Sequence, residues 1–157
     1  IGKPVAIRYP RGDGYGAEKR ELRVLEIGKS EVVKMGDMLT IVAIGTIYQE
    51  ALQASKMLEK KGVSTTLINA RFVKPIDDVI LECIAKTGKA IIVEENAVKG
   101  GFGSAVNELC MEEKINADIR FVGIPDRFIE HGPQKLLRKI CGLDSDTIVN
   151  IGSDMFN

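Results

Sequence analysis

Lys89–Cys110, KAIIVEENAVKGGFGSAVNELC, decides the fold. Ala90, Ile91, Ile92 and Val93 form a short unbroken apolar run with β-branched residues, the pattern of a strand covered on both faces. Polar Glu94-Glu95-Asn96 ends it. Gly100, Gly101 and Gly103 then allow a tight turn, and Phe102, Ala105, Val106 and Leu109 recur at helical spacing, so a helix with one apolar face follows. Strand, glycine turn and helix make the half-unit of an α/β fold. Two carboxylates and a glycine loop at the carboxyl end of a strand also sit where open α/β sheets keep their ligands.

Two readings stand for that loop. The structural one is that the glycines permit close packing of helix on strand. The functional one is a phosphate or dinucleotide cradle, but the GxGxxG spacing and the acidic residue about 20 positions on that such a site requires are missing. Glu94 and Glu95 are consecutive, so a strand points them to opposite faces and they cannot form a paired acid and base. At most one of them is expected to face a site.

Working outward, the same alternation repeats. Upstream, Met38–Ile44 reads as a buried strand ending at Gly45-Thr46, with Thr46 as N-cap of a helix whose Ile47, Ala51, Ala54 and Leu58 share a face and which closes at Lys60-Lys61-Gly62. Val63–Ala70 is the next strand, and Arg71–Pro75 leads into a helix carrying Ile76, Val79, Ile80, Cys83 and Ile84. Downstream come a strand at Ala117–Ile124, a loop at Pro125–Gly132, and a helix opened by Pro133 with Leu136, Leu137 and Ile140. The tail from Leu143 is expected to be short and at most partly helical. Near the start, Pro4–Tyr9 reads as a strand, Pro10–Gly16 as a turn-rich loop and Val24–Val33 as extended, broken by Gly28 and Gly36. The pattern predicts a three-layer α/β/α domain with a mostly parallel sheet of about five strands. Its antiparallel edge is expected from Pro4–Tyr9 or Val24–Val33, which no crossover helix separates.

Composition narrows the function classes. The 157 residues are 45% apolar and 28% charged, the profile of one folded domain spanning residues 1–157. With 22 basic and 22 acidic residues the net charge is zero, so no global field recruits nucleic acid or an anionic membrane. No apolar run approaches the roughly 20 residues of a membrane span, and a soluble, cytoplasmic protein is expected. The three cysteines, Cys83, Cys110 and Cys141, lack CxxC spacing, and a single histidine, His131, cannot complete a metal cluster. Buried, reduced thiols are expected. The chain opens at Ile1 directly before strand-like Pro4–Arg8, so a segment upstream is expected as well.

Several apparent motifs dissolve. Gly12-Asp13-Gly14 begins the GDG…N signature with which thiamine diphosphate enzymes hold magnesium, but the next asparagine is Asn69, far beyond the spacing of about 30 that completes the oxygen ligands. Gly28-Lys29-Ser30 imitates the end of a P-loop, yet its first glycine falls on Arg23. What remains is Arg8-Tyr9-Pro10-Arg11-Gly12. Two guanidiniums on a proline-braced segment suit a phosphate or carboxylate, and equally suit an acidic partner across a domain interface.

Pro4–Gly12, Ala70–Pro75, Val93–Asn96 with Gly100–Ser104, Gly123–Asp126 and His131-Gly132 together resemble the C-terminal domain of the 1-deoxy-D-xylulose-5-phosphate synthase branch of the transketolase family. The likeness runs in order along nearly the whole chain. It implies a larger enzyme, a homodimer, whose first two domains bind thiamine diphosphate and Mg2+ and condense pyruvate with glyceraldehyde 3-phosphate, releasing CO2, on the route to isoprenoid precursors, thiamine and pyridoxal. It further implies that Arg11 holds the phosphate of glyceraldehyde 3-phosphate, with Arg8 in support, that the upstream domains of the same polypeptide are partners, and that the chain alone binds no cofactor and is inactive. The corresponding domain of transketolase itself or of a 2-oxoacid dehydrogenase β subunit shares the fold and is the alternative. A non-catalytic anion-binding or interaction module is the alternative of another class.

Overall fold

Side-chain alternation along the strands builds the layers. The computed structural model describes residues 2–6 and 24–157, and in it β2 (Leu39–Ile44) sends Leu39, Ile41 and Ala43 to one side of a sheet and Val42 to the other. In β4 (Lys89–Ala97), Ile91 and Val93 take the first side and Ala90 and Ile92 the second. Both faces must therefore be covered. On the first lie α1 (Tyr48–Lys60) and α5 (Ser145–Asp154), and on the second α2 (Asp78–Thr87) and α3 (Phe102–Glu112).

The sheet is completed by β1 (Glu31–Lys34), β3 (Thr65–Asn69) and β5 (Asp118–Ile124), in the order β1-β3-β2-β4-β5. β3, β2, β4 and β5 run parallel, with Thr40 opposite Thr66 on one side and Ala90 on the other. β1 pairs antiparallel with β3, Val32 opposite Ile68, and forms the edge expected from the Val24–Val33 region. That strand is shorter than the sequence suggested, because Ile27-Gly28 forms a turn with Gly28 at φ +78°. Pro4–Ala6 take no strand conformation, and the rest of the expected first strand, like the Pro10–Gly16 loop, lies outside the described residues.

The helix expected after β2 buries the face foreseen: Ile47, Ala51, Ala54 and Leu58 are all fully buried. Burial of each large side chain contributes roughly 1.5–3 kcal/mol relative to exposure. Its cap differs from expectation. Thr46 makes no capping bond, and the N-cap position falls to Ile47. The hydroxyl of Thr46 is turned instead toward Glu95.

The C-terminal tail is a correction too. Residues 145–154 form a full helix, capped by Asp144, whose carboxylate accepts from the Thr147 amide at 2.8 Å. Ile148, Val149 and Met155 are buried against α1 and the sheet. Beyond it, the Lys89 ammonium donates to the Met155 carbonyl and lies 4.0 Å from the centre of the Phe156 ring, which fixes the chain's end to the start of β4. α4 (Gln134–Ile140) stands apart: none of its residues is buried. No helix among the described residues is long and apolar enough to cross a membrane.

Candidate functional site

Strand order decides where a site can form. β2 and β4 are neighbours, but the connection from β2 runs to α1 on one face and that from β4 to α3 on the other. Diverging connections open a crevice outside the carboxyl ends of the two strands, the usual ligand position in open α/β sheets. Here it encloses about 990 Å3, lined by Gly45 and Thr46 after β2, by Glu94, Glu95 and Asn96 of β4, by Gly101 and Phe102 at the start of α3, and by Lys74 and Glu108.

Glu94 is 3% exposed, and its two carboxylate oxygens each accept an amide: Oε2 from Phe102 at 2.8 Å and Oε1 from Gly103 at 2.9 Å. A carboxylate at a helix N-terminus satisfies orphan donors and opposes the positive end of the helix dipole. The glycines make this approach possible. A Cβ at Gly101 would lie 2.3 Å from Glu94 Oε2 and 2.4 Å from the Ala97 carbonyl, and one at Gly103 would lie 2.7 Å from Phe121 Cδ1. The structural reading of the glycine loop therefore holds. An anion cradle at these amides is already filled by the chain's own carboxylate.

Glu95 goes to the other side. Its Oε1 accepts from Arg138 Nε at 2.8 Å, its Oε2 from the Thr46 hydroxyl, and Arg138 Nη2 donates to Thr46 Oγ1 at 2.9 Å. The ends of β2 and β4 are thus joined to α4. Alternation does send the two glutamates to different partners, but both border the crevice, contrary to the expectation that at most one would. The reason is local: β4 departs from its regular pairing with β5 between Val93 and Ala97.

The Lys29-Ser30 pair that imitated a P-loop is spent on Asp77, 7% exposed in its side chain. The carboxylate accepts from the Ser30 amide at 2.8 Å, the Ser30 hydroxyl at 3.0 Å and Lys29 Nζ at 3.3 Å. Burial opposes ionisation of Asp77, but the Ser30 donors and the Lys29 ammonium outweigh it and hold the carboxyl below its ordinary value. Its partners lie 47 and 48 residues away, so only the N-cap position of an aspartate before Val79 hinted at a role. Arg138 had no signal beyond its place opposite Leu136 and Ile140 on a short helix.

Cys83 and Cys110 are buried and Cys141 is half-buried; burial pushes the first two thiols up. His131 is exposed in the loop before α4. Arg8 and Arg11, the candidate phosphate-binding residues, lie outside the described residues, as does Gly12-Asp13-Gly14.

A model of the transketolase C-terminal domain family matches residues 28–148. The chain is 48% identical over 145 residues to 1-deoxy-D-xylulose-5-phosphate synthase 1 of Geobacter sulfurreducens, covering 90% of this chain and 23% of that protein. Against the synthase of Aquifex aeolicus it is 43% identical over 148 residues, with 94% and 24% covered. The chain thus spans about a quarter of the length of the curated relatives it matches. Among solved structures, a split-gene transketolase described as an inactive β4 tetramer aligns at a TM-score of 0.77 and 37% identity, over 83% of this chain and 43% of that one. A transketolase from Campylobacter jejuni shares the fold at a TM-score of 0.58 and 20% identity, over 79% of this chain and 18% of its own. A match that takes in every strand among the described residues and reaches into the last helix, on a sheet that superposes on two transketolases, makes this chain a member of the transketolase C-terminal domain family.

Proposed function

We propose that the chain is the C-terminal domain of a 1-deoxy-D-xylulose-5-phosphate synthase, a cytoplasmic, homodimeric transferase that condenses pyruvate with glyceraldehyde 3-phosphate and releases CO2. One observation carries the reading: relatives bearing that name keep 39–48% identity over 90–97% of this chain, above the 37% and 20% of the two transketolase structures. The cofactor of such an enzyme, thiamine diphosphate with Mg2+, would supply the nucleophilic carbon chemistry when bound. The described residues do not offer its donors, since Glu94 and Glu95 are committed to amides, Thr46 and Arg138, and no three metal-ligating side chains gather among them. On this reading the cofactor belongs to the preceding domains of the same polypeptide.

The contribution of this chain is Arg11. A guanidinium gives a dianionic phosphate two parallel charge-assisted hydrogen bonds, and binding energy at the phosphate positions the remote aldehyde carbon. Arg8 supports it. The test is Arg11→Ala in the full-length enzyme. It is expected to lower kcat/KM for glyceraldehyde 3-phosphate about 10- to 150-fold, the equivalent of losing roughly 1.5–3 kcal/mol of hydrogen bonding to a charged group. The KM for pyruvate, which carries no phosphate, is expected to stay near its original value. Arg11→Lys restores part of the loss, keeping the charge without the planar fork. Equal weakening toward both substrates would make Arg11 an interface residue and remove this assignment.

A further inference from the structure

We draw no further inference here: the strongest candidate, the crevice outside the carboxyl ends of β2 and β4, belongs to the site already described, and its acidic lining of Glu94, Glu95 and Glu108 comes with no second feature that points to a ligand, Glu94 being satisfied by the Phe102 and Gly103 amides and Glu95 by Thr46 and Arg138.

Discussion

The carboxylate of Glu94, near the end of β4, accepts a hydrogen bond from the amide of Phe102, the first residue of α3, at 2.8 Å. Eight residues separate the two, and the intervening loop is closed by this bond and its neighbour from Gly103. The position that another α/β protein could give to a phosphate is held here by an internal anion. Strand and helix are thereby locked at the mouth of the crevice.

Glu94→Ala should therefore destabilise the domain by about 3 kcal/mol, because two amides at a buried helix start lose their acceptor. Glu94→Gln keeps one acceptor oxygen and should cost about half as much. Urea unfolding followed by circular dichroism measures both, and a Gln variant as unstable as Ala would mean that charge rather than hydrogen bonding dominates.

At Gly103 two effects oppose. Alanine is the better helix former by up to about 1 kcal/mol, but its Cβ would meet the Phe121 ring at 2.7 Å. Overpacking of that kind costs about 1–3 kcal/mol, so Gly103→Ala should be net destabilising. In a double-mutant cycle with Phe121→Leu the two changes should couple by about 1 kcal/mol in the relieving direction; strict additivity would show that the clash is absorbed elsewhere.

Asp77 sets an acid limit. Its folded pKa lies below the unfolded value, as does that of Glu59, which Lys34 and the Thr65 amide hold down. The unfolded chain therefore takes up protons first as pH falls. The stability these groups contribute is complete above about pH 4–5 and is lost as pH drops through their folded values. Asp77→Asn should lower stability at pH 7 and flatten the decline from about pH 4 downward. Melting temperatures of both proteins across that range decide it; parallel curves would exclude Asp77 as a source of the acid dependence.

Arg138→Ala should loosen α4 and little else. Its partners, Glu95 and Thr46, belong to the strand ends, whereas α4 itself buries no residue. Hydrogen exchange of the Gln134–Ile140 amides should accelerate about tenfold or more, with β2 and β4 unchanged. Accelerated exchange across the sheet would instead make Arg138 part of the global fold.

The thiols should separate by position. Cys83 and Cys110 are buried and pushed toward the thiol form, so they should alkylate at least about tenfold more slowly than half-buried Cys141 under native conditions. A single common rate would contradict this burial pattern.

Period is a local property, and whatever depended on it was legible in the sequence: the two-sided strands at Leu39–Ile44 and Ala90–Val93, the Ile47–Leu58 helix face and the antiparallel edge at β1. The last helix was legible only in part: the tail reads as at most partly helical, although Asp144 stands at an N-cap and Ile148, Val149 and Met155 follow on one apolar side. The resemblance along the chain likewise located the family. Tertiary structure alone decided the uses of the polar side chains. Arg138 meets Glu95 across 43 residues and Thr46 across 92, and Asp77 meets Ser30 across 47. No spacing rule reaches that far, because such pairs are set by which strand lies beside which, and the order β1-β3-β2-β4-β5 brings residues distant in the chain to one end of the sheet. The exposed face of α4 has the same origin: the period of Leu136 and Ile140 reads as an ordinary buried face, but it is Arg138, on the opposite side of the helix, that meets the body at Glu95.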